Sequence, residues 1–325
     1  VFDLTNSADI YLKQTMQFLN FKEGQFIDFL SYKRLAAVIS GLLILAGVAS
    51  IVGHKGLKYG IDFKGGTNVQ IQFSTAPDLD QLRQLFAEKD MENIVLQTFG
   101  DPADKEVLLG LPTGSPLGTG EKLTSELRKI LLPQHPKLEI RRIETIGPKV
   151  GDELKLSAVQ AILIALGLVL LYITIRFQWR QGVSAIVALV HDVLVVIGMF
   201  SIFDKEFSLT VVAALLTVVG YSLNDTIVVF DRIRENQGKY RKKAFEETIN
   251  LSITETLSRT LITSGTTLLV VLTLFLLGGE IIHDFAFALL VGVLIGTYSS
   301  IYVASTVAVL LTKLVPPAGT APASS

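Results

Sequence analysis

The sequence has no cysteine, and that absence excludes disulfides, thiolate metal sites and cysteine nucleophiles while leaving the cellular compartment open. Charge is scarce as well. Only 18% of the 325 residues are charged, and 29 Lys and Arg against 30 Asp and Glu leave a net charge of −1, so bulk charge argues against a nucleic-acid partner. The four histidines, His54, His135, His191 and His283, lack metal-ligand spacing. There is no G-x-x-x-x-G-K-S/T phosphate loop, which argues against direct use of ATP, and no G-x-S-x-G elbow of the serine hydrolases. The glycines of residues 114–120 read as a loop, not a nucleotide fingerprint. Neither an enzyme activity nor a metal or organic cofactor is expected.

What the chain has instead is apolar sequence, which makes up half of it and points to a membrane protein. Six apolar runs are long enough to span a bilayer: residues 35–53, 157–175, 183–203, 209–230, 261–277 and 285–311. The last exceeds one bilayer thickness, which predicts tilt or a longer exit. No small-residue cleavage site follows the first run, so it reads as an anchoring span and not a removable signal peptide. Residues 1–34 are expected to form an amphipathic lead-in at the membrane surface, and the Pro/Ala/Ser-rich residues 313–325 a disordered tail. The first residue is Val, which leaves a processed chain or one piece of a longer polypeptide open.

Residues 54–156 have a different character, charged and glycine-containing with no long apolar run. Alternation predicts a strand over 67–73, with Val69, Ile71 and Phe73 on one face. Helical spacing at Leu79, Leu82, Leu85 and Phe86 follows the start signal Pro77-Asp78 and predicts a helix over 78–90. Strands over 94–99 and 106–111, a helix over 121–132 and a strand over 138–146 complete a β-α-β-β-α-β order. The expected fold is an α-helical membrane protein. It has six transmembrane helices in a one-plus-five plan and an inserted extracytoplasmic ferredoxin-like domain at 54–156. Residues 157–312 form the five-helix part, with a basic cytoplasmic loop at 231–260.

Basic residues set the orientation. Lys33 and Arg34 precede the first span, Arg176 and Arg180 separate the second from the third, and seven Lys and Arg from Arg232 to Arg259 separate the fourth from the fifth. The other side holds only Lys205 between the third and fourth. Both termini are therefore expected in the cytoplasm and the small domain outside it.

Ionisable residues inside the spans are few. Asp225 lies at a depth of about 10 Å in the fourth run, where a carboxylate costs on the order of 3 kcal/mol and needs a partner, a proton or a water-filled cavity. Thr210, Thr217, Tyr221 and Asn224 fall near one stripe of that helix with Gly220 among them, which reads as a helix–helix seam. Arg259 either snorkels from the start of the fifth span or faces Asp225 across a helix pair. Thr263, Ser264, Thr266 and Thr267 continue a hydroxyl-rich face able to hold water. His191 and Asp192, close to mid-membrane, are a structural pair or members of a proton path. Gly292, Gly296, Ser299 and Ser300 read as close-packing positions.

Three stretches resemble the SecF family, or the SecF half of a fused SecDF: Tyr59-Gly-Ile-Asp-Phe-Lys-Gly-Gly-Thr67, the run from Tyr221 to Asn236, and Glu255-Thr-Leu-Ser-Arg-Thr260. His191-Asp192 and the one-plus-five plan also fit, so the resemblance covers the chain from about residue 25. It implies a bacterial inner-membrane protein, related to the RND transporters, that pairs with SecD. The pair works with the SecYEG channel on a translocating preprotein, using the proton-motive force, with YajC and YidC as further partners. Protons are the implied coupling ion. In the family, the residues matching Asp225 and Arg259 belong to the proton pathway; Asn224, His191 and Asp192 join them as candidates. Two rival readings stay open: an RND-type exporter of small molecules or lipids, and a non-transporting subunit that only stabilises SecD.

Overall fold

The computed structural model describes residues 26–89, 91, 94–100 and 102–315. Among these, six helices are long and apolar enough to cross a membrane. The first is α1 (Lys33–Gly53), and a one-turn helix α2 (Ile61–Lys64) opens the inserted domain. That domain holds β1 (Gly66–Gln72), α3 (Leu79–Ala87), β2 (Val95–Phe99), β3 (Glu106–Pro112), α4 (Gly120–Leu131) and β4 (Glu139–Ile146). The remaining spans are α5 (Pro148–Arg176), α6 (Trp179–Ile202), α7 (Leu209–Lys239), α8 (Phe245–Leu277) and a sixth in which α9 (Gly279–Ser299) passes through a π turn (Ser300–Ala304) into α10 (Ser305–Leu314).

The inserted domain is the expected four-stranded sheet in the order β2-β3-β1-β4, every neighbouring pair antiparallel. Alternation put Val69 and Ile71 on its inner face, where they join Leu82 and Phe86 of α3 and Leu123 and Leu127 of α4 in one buried core. Asp78 caps α3 by accepting from the amide of Asp80 at 2.9 Å, so the expected start signal acts as a side-chain cap.

In the bundle, α6 is central: 61% of its apolar window is buried, against 11% for α5 and 17% for α1 and α8. The expected close packing at Gly292 and Gly296 is met. A Cβ on Gly296 would stand 2.9 Å from Cβ of Ser222, and one on Gly292 would overlap Val218, so α9 lies directly on α7. The sixth span reaches 33 residues from Ile282 to Leu314, about 50 Å of helix against a hydrocarbon core of roughly 30 Å.

Helices outrun the apolar stretches that announced them. The basic stretch 231–260, expected as a loop, is helical except for the short connection at 240–244, because α7 and α8 continue past their apolar parts. Of the expected lead-in, residues 26–34 pack against α8. The amide of Leu30 donates to Asn250 Oδ1 at 3.1 Å and that of Ile27 to Thr254 Oγ1 at 3.0 Å. The expectations for residues 1–25 and 316–325 lie outside the described residues.

The motif from Tyr59 to Thr67 joins the domain to the bundle. Phe207, in the connection between α6 and α7, donates its amide to the Lys58 carbonyl at 2.7 Å and accepts from the Gly60 amide at 2.9 Å. Asp62 Oδ2 accepts from the amide of Leu209, the first residue of α7, at 3.0 Å. Phe63 stacks on Phe207 at 6.1 Å between ring centres. Gly65 takes a φ of +73° and a Cβ there would stand 2.9 Å from the nitrogen of Pro148, so glycine alone fits between β1 and the start of α5.

Candidate functional site

Two buried acids lie in the centre of the bundle. Asp225 on α7 is 3% exposed. Ser264 of α8 donates to its Oδ2 at 3.3 Å, and Thr297 of α9 donates in turn to Ser264 Oγ at 2.8 Å. Three spans thus meet at one carboxyl group. Among the described residues no ion pair within 4.0 Å joins Asp225 to Arg259, an exposed residue. Arg259 stands five residues ahead of Ser264 on α8, close enough for its charge to act on Asp225 through space.

The second acid is Asp192, fully buried on α6. Its Oδ1 faces His191 Nδ1 at 2.9 Å, while Oδ2 accepts from Ser222 of α7 at 2.6 Å and from Ser299 of α9 at 2.7 Å. On the far side of the ring, His191 Nε2 meets Ser40 Oγ of α1 at 3.0 Å. Ser40 meets the Tyr298 hydroxyl at 3.1 Å, and Tyr298 donates to the Ala36 carbonyl at 2.7 Å. The π turn begins immediately after this cluster, at Ser300, and such turns inside α-helices are frequent at functional sites.

Several expectations need correction. Thr210, Thr217, Gly220 and Asn224 are exposed, and a Cβ on Gly220 would meet nothing within 4 Å. Their stripe therefore faces out of the chain and is not a seam between its own helices; Asn224 does not join the Asp225 cluster. Beside the stripe, the buried hydroxyl of Tyr221 has no partner among the described residues. On α8, Thr263, Thr266 and Thr267 return their hydroxyls to carbonyls four residues back, at 2.9 to 3.0 Å. Only Ser264 of that face reaches another helix.

The sequence did not single out Ser40, Ser222, Thr297 or Tyr298. Ser222, three residues before Asp225, was the one with a readable signal, since it shares a helix face with a buried acid.

A further polar cluster lies where the sheet domain meets the bundle, around a cleft of about 990 Å³. Lys205 pairs with Asp284 at 2.7 Å and touches His283 Nδ1 at 3.1 Å, and Lys58 pairs with Asp204 at 2.8 Å. The hydrogen bond and charge of Lys58 hold the Asp204 carboxyl below its ordinary range. Burial, then the charges of Asp284 and Asp62, push the Glu206 carboxyl above its ordinary range, against the opposing pull of Lys58 and Lys64.

The sequence profile described as "Protein export membrane protein SecD/SecF, C-terminal" matches residues 126–314, and that described as "SecD/SecF GG Motif" matches residues 50–77. The protein translocase subunit SecF of Vibrio alginolyticus is 46% identical over 291 residues, 89% of this chain and 91% of that one. The SecF of Escherichia coli O157:H7 is 42% identical over 285 residues, 87% of each. The crystal structure of SecDF from Thermus thermophilus superposes with a TM-score of 0.76 at 38% identity, covering 93% of this chain and 41% of that chain. With a family profile over more than half of its length and close relatives along nearly all of it, the chain belongs to the SecD/SecF protein export membrane proteins as a member of the SecF type.

Proposed function

We propose that this chain is the SecF half of a proton-driven unit in the bacterial inner membrane. Paired with SecD, it helps preproteins leave the SecYEG channel. The reading is carried by Asp225, a carboxyl buried among α7, α8 and α9 that has, among the described residues, a single hydroxyl partner and no cation within ion-pair reach. A charge there costs on the order of 3 kcal/mol, so the group needs a cation whenever it gives up a proton. Arg259 is the cation within electrostatic range. Loss of the proton draws Arg259 toward Asp225 and α8 toward α7; reprotonation releases it. His191 and Asp192 form a second exchangeable group deeper in the bundle.

The outward polar stripe of α7 supports a partner subunit. Asn224 is exposed on a span that would otherwise show its amide to lipid, and polar side chains in spans pair across helices; Thr217, on the same stripe, returns its hydroxyl to the Ala213 carbonyl at 2.9 Å. Each proton that crosses a potential of 100 mV supplies about 2.3 kcal/mol. Movement of α7 reaches the sheet domain through Asp62 and Phe207, which hold the first turn of that helix. With both termini in the cytoplasm, the sheet domain works on the periplasmic side.

The test is proton uptake and completion of preprotein export in proteoliposomes carrying Asp225→Asn, with assembly checked by co-purification of SecD. Loss of both activities in an assembled complex is expected. Wild-type rates in that complex would sink the reading and favour an assembly-only subunit.

A further inference from the structure

The contacts around His191 constrain how many protons the site holds. Three contacts run in series from the ring to α1: His191 Nε2 to Ser40 Oγ, Ser40 Oγ to Tyr298 Oη, and Tyr298 Oη to the Ala36 carbonyl. The carbonyl can only accept, so Tyr298 spends its single hydrogen there. Ser40 must then donate to Tyr298, and the Ser40–His191 contact has a hydrogen only if Nε2 carries it. On the other side of the ring, Nδ1 and Asp192 Oδ1 are 2.9 Å apart and also need a hydrogen between them.

One proton on the pair cannot meet both demands. If it sits on Nδ1, the chain of three contacts has two hydrogens. If it sits on Nε2 beside an ionised Asp192, two lone pairs face each other at 2.9 Å. Two protons satisfy every contact, either as imidazolium with carboxylate or as Nε2–H imidazole with carboxylic acid. In both arrangements the pair is neutral overall, which is also the cheaper state for a group exposed by no more than 6% in the middle of a span.

We propose that the His191–Asp192 pair holds two protons in this conformation, and that giving one up breaks the hydrogen-bond chain that ties α1 to α6 and α9. The leaving proton passes to solvent water; the pair goes from net neutral to a net charge of −1. The groups facing it are Ser40 from α1, Ser222 from α7, and Tyr298 and Ser299 from α9. Of these, Tyr298 is the one with an ionisable side chain. Asp225, one turn beyond Ser222 on α7, is the next acid, and among the described residues no Lys or Arg forms an ion pair with the couple. Since α1 leads directly into the junction at Lys58 and Gly60, release of Ser40 loosens one of the contacts that hold this span against α6, leaving the Ser50–Ser201 bond in place. This deepens the proton-coupling reading and rests on it only in treating the second proton as exchangeable.

The test is the ring protonation of His191 in the full chain in proteoliposomes, labelled with 15N at its four histidines. His191→Asn identifies the signal. Near neutral pH the expected result is an imidazolium, or an Nε2–H imidazole accompanied by a protonated-carboxyl infrared band that Asp192→Asn removes. A neutral Nδ1–H ring beside an ionised Asp192 overturns the inference. Tyr298→Phe removes the terminal link and lets Ser40 donate to Nε2. It is expected to move the ring toward the neutral Nδ1–H form by about tenfold at the same pH, the effect of one hydrogen bond. Ser40→Ala, which takes away the same link from α1, serves where Tyr298→Phe does not assemble, and an unchanged ring in both variants overturns the chain. The two proposals fail separately. A neutral ring with proton flux that still depends on Asp225 removes only this inference, whereas flux indifferent to Asp225 removes the proposed function whatever the ring shows.

Discussion

Gly47 of α1 and Gly198 of α6 meet backbone to backbone: a Cβ on Gly47 would stand 2.7 Å from the Gly198 Cα. The same offset of 151 residues recurs above and below this contact. Ser40 meets His191 at 3.0 Å, and Ser50 meets Ser201 at 2.9 Å. The two spans therefore run parallel in a single register over three turns, and the glycine pair sets the distance at which the hydroxyl contacts form.

Gly198→Leu is accordingly expected to cost roughly 1–3 kcal/mol, because the added volume has only backbone to push against. The loss should appear as a lower Tm, and as loss of the α1–α6 register. The absence of native cysteine makes the register directly measurable. A Ser50→Cys, Ser201→Cys double variant should cross-link on oxidation, and adding Gly198→Leu should abolish the cross-link. A cross-link that persists at full yield would show that the crossing is not set by these glycines.

Asp62 belongs to the sheet domain yet caps a helix of the bundle, through its bond with the Leu209 amide. Replacing an N-terminal capping carboxylate by alanine costs about 1 kcal/mol. Asp62→Ala should therefore raise amide exchange over residues 209–212 several-fold without changing exchange in the sheet core, as read by hydrogen–deuterium exchange. Uniform exchange increases across the chain would mean global destabilisation instead.

Glu206 gives the junction a pH dependence whose sign is fixed by its surroundings. Burial and the nearby Asp284 and Asp62 hold its carboxyl above the ordinary value of 4.5, so the folded protein binds that proton more tightly than the unfolded chain does. The stabilisation is complete below the unfolded value and is lost as pH rises through the raised folded value. Glu206→Gln keeps the side-chain shape and removes the titration. Its Tm should vary less than that of the wild type over this window and exceed it at neutral pH. Two parallel curves of Tm against pH would contradict the assignment.

The order of elements was legible because strand alternation and apolar runs are local signals. Val69, Ile71, Leu82 and Phe86 could be assigned to one face before any contact was known, and they share one core. Asp225 was legible for the opposite reason, as a residue whose type conflicts with its surroundings. The direction of the α7 stripe was not legible. Thr210, Thr217 and Asn224 repeat at helical spacing, but spacing alone does not say which face turns inward, and they turn out. Ser40 and Tyr298 were invisible because single hydroxyl residues are common in spans. Their partners lie 151 and 262 residues away. Gly47 carried no repeat to mark it, and the role of Phe207 depends on a pairing with Lys58 and Gly60 that no local pattern encodes.

Ser264 allows the chemistry at Asp225 to be separated from packing around it. Its hydroxyl donates to Asp225 and accepts from Thr297, so it stands between the acid and α9. Ser264→Ala leaves a buried carboxyl group without its one hydroxyl partner among the described residues, a loss of about 1–3 kcal/mol. Thr297→Val removes the outer link and leaves the inner one in place; its own hydroxyl has a second acceptor in the Val293 carbonyl at 2.8 Å, so part of its role is internal to α9. If the carboxyl group carries the coupling, export driven by a proton gradient should fall in a graded order. Asp225→Asn should abolish it, Ser264→Ala should slow it by about tenfold, and Thr297→Val should slow it least. Rates in proteoliposomes, compared at matched Tm, decide the matter. Equal losses in all three would assign the effect to helix packing, because the three side chains share a contact surface but only the carboxyl group can give up and take back a proton.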